Sequence, residues 1–167
     1  MKNLLILTGL VLLFSYCSTT SNRENEKETI VQASSNVKTT FKNDLNFLRE
    51  YTDILVLGEN SQGGKVALSP ALQGRVMTSS AKGMTGSSYG WINRKLLDLG
   101  DTLAHINVFG GEERFWLGPE GGQFSIFFEK GKEFTGDNWY TPKFLDLVRF
   151  NVIQQSDDHV VFQKSTE

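Results

Sequence analysis

Glu112, Arg114 and Trp116 occupy alternate positions in the stretch GGEERFWLGPEGGQFSIFF, residues 110–128. In an extended segment successive side chains alternate faces. A carboxylate, a guanidinium and an indole then share one face, while Phe115 and Leu117 share the other. Gly118-Pro119-Glu120-Gly121-Gly122 has the composition of a turn, with proline presetting φ and glycine tolerating positive φ. The chain returns with Phe124, Ile126 and Phe128 on one face. This pattern predicts a hairpin with an apolar face for a core and a second face of mixed chemistry. Two uses of the mixed face stay open. Sugars present apolar C–H patches that stack on an indole, beside hydroxyls that take charged donors and acceptors. A solvated strand on which Glu112 and Arg114 pair, worth about a few tenths of a kcal/mol, employs the same residues.

Other reactive constellations are weaker. GSSYG, residues 86–90, fits the G-x-S-x-G pattern, but a nucleophile elbow needs a strand before it and a helix after it. Here the motif sits within the Gly-rich loop KGMTGSSYG. Two histidines and one cysteine make no metal cluster at ligand spacing, and Asp157-Asp158 reads as a turn rather than a calcium loop. No phosphate-cradling glycine motif follows a strand, so no cofactor or metal is expected. The formal charge of −2 comes without a basic cluster, which argues against nucleic acid.

The elements that must position these residues begin late in the chain. Residues 1–16 combine a short basic start with an apolar run of eleven, LLILTGLVLLF. That run is too short for a membrane-spanning helix of about 20 residues and suits the core of an export signal. Cys17, the only cysteine, follows it directly, and a hydrophobic run ending in a lone Cys resembles a bacterial lipoprotein signal. The resemblance implies lipidation at Cys17, membrane attachment through that lipid, and a place in the bacterial cell envelope, facing periplasm or surface. A secretory peptide or uncleaved anchor with an incidental Cys is the alternative. Without residues 1–16 the charge moves to −3, since Lys2 is lost. Residues 17–38 are Ser, Thr, Asn, Glu and Lys with few apolar side chains and read as a flexible tether.

One domain is expected over residues 39–167. TTFKNDLNFLREYT offers a hydroxyl N-cap and Phe41, Leu45 and Leu48 at helical spacing. DILVLGE, KVALS and GRVMTSSA read as short strands, HINVFGG as a further strand candidate, and FNVIQQSDDHVVFQ as a hairpin turning at residues 156–158. WINRKLLDLGD fits a strand end or a helical turn, and TPKFLDLVRF has mixed periodicity. Short strands with Gly-rich turns predict a mainly β fold, an antiparallel β-sandwich with a short N-terminal helix.

VALSPALQGRVMT, YGWINRKL and FGGEERFWLGPE, in that order, resemble the N-terminal half of galactose mutarotase-like proteins, the aldose 1-epimerase superfamily of β-supersandwiches. A Gly-Arg strand, an Asn-Arg pair and a Gly-Gly followed by Trp occur there in this sequence. The chain also resembles a group of bacterial envelope lipoproteins related to that superfamily. The resemblance covers roughly residues 53–165 and implies a concave sugar-binding face. Asn93 and Arg94 match the pair that contacts the sugar, and Arg114 and Trp116 are expected along the same face. The epimerases use a His acid and a Glu base. Phe109 stands where a His usually precedes the Gly-Gly, His105 lies an even step upstream of it, and nothing matches the late base. The resemblance thus implies an N-terminal, incomplete portion of the sandwich, a carbohydrate binder without catalysis. An epimerase-related enzyme and a structural envelope lipoprotein with no small ligand are the alternatives.

Overall fold

Thr40 starts the first helix by offering its side-chain oxygen to the Asn43 N–H at 3.3 Å, which satisfies a donor that the first turn leaves open. The structure is a computed structural model and describes residues 39–165. The export signal over 1–16, the lipidation site Cys17 and the tether over 17–38 lie outside the described residues. Helix α1, Phe41–Tyr51, buries Phe41, Leu45 and Leu48, the stripe its spacing predicts. The backbone around Thr39 and Thr40 is fastened before the helix begins. Ser88 N–H donates to the Thr39 carbonyl at 2.9 Å and Phe41 N–H to that of Gly86 at 3.0 Å, flanking an antiparallel bridge between Thr40 and Ser87.

Beneath α1 lies an antiparallel sheet in the order β1-β2-β3, comprising Leu55–Leu57, Lys65–Ser69 and Arg75–Ser80. Phe41 and Leu45 pack there with Val56 and Ala67. Leu48, Leu72, Met77, Ile92, Leu96, Leu97 and Phe109 form a second apolar cluster. Between β2 and β3 the register slips. Ala67 faces Thr78 but Leu68 faces Val76, so Met77 is an extra residue and the strand bulges there. The bulge lets consecutive residues, Met77 and Thr78, both be buried.

The segment WINRKLLD does both things its sequence permits. Strand β4, Trp91–Ile92, leads through Asn93 into the short helix α2, Arg94–Asp98. β4 pairs antiparallel with β5, Gly110–Gly111, and helix α3, Lys143–Asp146, follows much later. The last element is the expected hairpin, β6 Asn151–Gln155 with β7 Val160–Gln163. It meets the rest of the fold through Asp157, whose carboxylate accepts the Asn60 N–H at 3.1 Å, and through the Phe162 ring against Gly74.

The described residues thus make a mainly β fold of small antiparallel sheets with few helices. No helix among them is long and apolar enough to cross a membrane. The hairpin expected over residues 110–128 does not form. Beyond Gly111 this stretch contains no strand; Glu113 bridges to Val76 in β3, and Phe128 bridges to Trp139. Each arm has found a different partner, and aromatic stacking replaces the ladder. Trp116 lies on Phe127 and Phe127 on Trp139, with 5.1 Å between ring centroids in both pairs.

Candidate functional site

Gly110 and Gly111 have φ of +91° and +101°, a region that residues with a Cβ rarely enter. This conformation carries the chain from β4 across to β3. Asn93 N–H donates to the Phe109 carbonyl at 3.0 Å, while Glu112 N–H donates to the Val76 carbonyl at 2.8 Å and Val76 N–H to that of Glu113 at 3.0 Å. The crossing encloses a cleft of about 430 Å³ lined by Arg75, Trp91, Val108, Glu112, Glu113 and Arg114, with the two glycines.

Trp91 stands 59 % exposed on this cleft, on a strand whose next residue, Ile92, is buried. Glu112 is held in place, since its carboxylate accepts from both the backbone N–H and the hydroxyl of Ser79, the latter at 2.8 Å. Glu113 accepts the Arg114 N–H at 3.2 Å. The Arg114 guanidinium lies 3.9 Å from the centre of the Trp116 ring, a cation–π contact. Trp116 donates its indole N–H to Glu120 at 2.6 Å.

Arg75 is only 2 % exposed. It donates to the Gly110 carbonyl and to the Gln73 side chain, and its Nε has no partner among the described residues. Burial, and then the neighbouring Arg114 charge, pull its pKa down to about 10, against the opposing pull of Asp146.

The five side chains singled out from the sequence do not form one site. Glu112 and Arg114 line the cleft; Asn93, Arg94 and Trp116 do not. Asn93 is the N-cap of α2, accepting the Leu96 N–H at 3.2 Å while its amide donates to the Val108 carbonyl at 2.9 Å. Both ends of its side chain are engaged in holding backbone. Arg94 turns the other way, to an ion pair with the buried Asp44 of α1 and a position 4.0 Å from the Phe47 ring centre. Trp116 is taken up by the aromatic stack. His105 Nδ1–H donates to the Trp139 carbonyl, 2.7 Å away, and the ring stacks on Tyr140, which fits a structural role.

The sequence reading missed Trp91 and Arg75 as cleft residues. The signal for Trp91 was an indole directly after a Gly-rich loop, one step from the buried Ile92. For Arg75 it was a guanidinium at the head of a strand that is otherwise uncharged.

The Arg94 contact makes a prediction separate from the cleft. Arg94→Ala leaves Asp44 buried with only the Thr39 hydroxyl, at 2.6 Å, to answer its charge. Breaking a buried pair costs about 3–5 kcal/mol, and the partial exposure of Arg94 lowers this to about 1–3 kcal/mol. Equilibrium urea unfolding is expected to show that loss.

A second depression, about 680 Å³, is larger but greasy, walled by Phe115, Leu117, Ile126, Phe150, Val161 and Phe162. Size alone favours it. Glu113 and Arg114 line both depressions; what sets the smaller cleft apart is the exposed indole of Trp91 beside the anchored carboxylate of Glu112. Among the described residues no three His, Cys, Asp or Glu side chains gather to hold a metal ion.

A family model described as Family of unknown function (DUF6786) matches residues 39–167. No curated protein and no solved structure matches the chain.

Proposed function

The chain belongs to this family of unknown function, and from the chemistry of its cleft we propose that it binds carbohydrate. One observation carries the reading: an indole, a guanidinium and a fixed carboxylate, from Trp91, Arg114 and Glu112, border one open cleft whose lining also includes the buried Arg75. A pyranose can lay its apolar face on Trp91 while its hydroxyls take hydrogen bonds from Arg114 and give them to Glu112. Glu112 enters this exchange already aligned by Ser79, so little side-chain entropy is lost when a sugar binds.

The same proposal includes the galactose mutarotase-like sandwich. Its support is the order of the Gly74-Arg75, Asn93-Arg94 and Gly110-Gly111 motifs along the chain. It also includes a lipid anchor at Cys17, which would hold the binding domain at the envelope. The apolar run before Cys17 supports that address.

Titration with a panel of oligosaccharides, followed by calorimetry, tests the reading. Trp91→Ala is expected to weaken binding about five- to thirty-fold, since stacking on one indole contributes about 1–2 kcal/mol. The unfolding midpoint should scarcely move, because the ring is 59 % exposed. Unchanged affinity in Trp91→Ala, or silence across the panel, would defeat the proposal.

A further inference from the structure

We infer that the sugar this cleft takes is anionic, with a carboxylate or sulfate group received between Arg75 and Arg114. The inference rests on the carbohydrate reading above and narrows it to a substrate class.

The charges around the cleft are unevenly answered. Both carboxylates have donors: Glu112 takes two from Ser79, and Glu113 takes the Arg114 N–H. Among the described residues neither guanidinium is held in an ion pair. The ion pairs among the described residues join Arg49 to Glu59, Arg94 to Asp44, Arg149 to Asp53 and His159 to Asp158, and none includes Arg75 or Arg114. Arg75 meets only neutral acceptors, a backbone carbonyl and an amide oxygen. Arg114 rests on the Trp116 ring, and no ion pair among the described residues includes it.

A buried arginine usually has a carboxylate beside it, because removing the charge from water is costly unless it is paired. Here the buried Asp146 attracts Arg75 without forming an ion pair with it, and a second guanidinium, Arg114, repels it. The depressed pKa of Arg75 follows from burial and from that neighbour. Its Nε is a buried donor with no hydrogen-bond partner among the described residues.

Gly111 packs directly on the stem of Arg75 and so holds that side chain in place. A Cβ on Gly111 would fall 2.8 Å from Cδ of Arg75 and 2.7 Å from the Val76 carbonyl, so the position admits no side chain. A planar carboxylate or a tetrahedral sulfate can accept several N–H bonds at once from a guanidinium fork. Such a group placed between the two arginines would answer both charges, while the ring carrying it lies on Trp91.

The full chain should be titrated by calorimetry with trigalacturonate, its neutral trimethyl ester, a sulfated galactose trisaccharide and sodium sulfate. At least one charged trisaccharide is expected to bind ten-fold or more tightly than the neutral ester, and sodium sulfate at least a hundred-fold more weakly than that trisaccharide. The stronger charged ligand tells carboxylate from sulfate. Arg114→Gln should bring the charged-to-neutral ratio close to one, and Arg75→Lys should reduce it if that variant folds. Equal binding of the ester overturns the anionic inference and leaves the carbohydrate reading standing. Sulfate binding as tightly as any sugar overturns both in favour of a simple anion site. Absence of binding by every probe also overturns both.

Discussion

Phe127→Ala is expected to lower the unfolding free energy by about 3–5 kcal/mol, the range for truncating a buried aromatic. Phe127 is 1 % exposed and lies between the rings of Trp116 and Trp139. The interplanar angles, 28° on one side and 0° on the other, leave the phenyl stacked against both indoles. Residues 112–142 have almost no strand ladder or helix of their own, so this stack does the work that backbone pairing does elsewhere. The surrounding backbone depends on the same place. Tyr140 N–H donates to the Phe127 carbonyl at 2.9 Å, and Phe127 N–H donates to the Ser125 hydroxyl at 3.1 Å. Truncating the ring leaves two indoles facing a cavity that a loop without regular structure cannot close neatly. Equilibrium urea unfolding measures the loss. A change below about 1 kcal/mol would show that the stack is incidental to stability.

Gly110→Ala should harm both stability and binding. A left-handed conformation alone costs a residue with a Cβ about 1–2 kcal/mol, and Gly110 sits at φ +91°. The added methyl would also lie 2.2 Å from the Trp91 carbonyl oxygen and 3.1 Å from the Asn93 nitrogen. Those are backbone atoms of β4 and of the residue that follows it, so relief requires the β4–β5 pair to separate. Because that pair is two residues long on each side, separation removes it entirely and opens the cleft. The expected result is a loss larger than the conformational cost alone, with ligand affinity reduced at least ten-fold. Gly100→Ala is the control. Gly100 also has positive φ, +62°, but nothing lies within 4 Å of the added methyl, so only the conformational cost of about 1–2 kcal/mol should appear and binding should persist. Equal effects in the two variants would remove the steric argument.

Parts of this architecture were legible in the residues. α1 was readable because its N-cap, its apolar spacing and its length all agree. β2, β3 and the β6–β7 hairpin were readable because strands and turns alternate there over short range. The stretch after Gly111 was not. Alternation of apolar and polar residues permits a hairpin without requiring one, and Glu113 and Phe128 pair with Val76 and Trp139, which no local pattern announces. The bulge at Met77 likewise breaks the two-residue period that strand reading relies on.

The site was legible to a smaller degree. Glu112 and Arg114 were found because they share a face with each other in the sequence, and they do border one cleft. Asn93 and Arg94 misled because an asparagine followed by a helix-forming run is also an N-cap, and Arg94 finds its acid, Asp44, fifty positions back in α1. Trp91 and Arg75 reach the cleft through the crossing of β4, β5 and β3. That crossing depends on two glycine conformations rather than on any side-chain pattern.

The fastening at Thr39 and Thr40 has a mechanical consequence. Tension arriving at the start of the domain is delivered to residues 86–88, the loop that runs directly into β4 and its indole. Between the two, Tyr89 N–H is bolted to the Ser79 carbonyl at 3.1 Å and Gly90 N–H to the Thr78 hydroxyl at 3.0 Å. A pull on the leading end is therefore grounded in β3 before it reaches Trp91, which keeps the indole wall of the cleft out of the line of load.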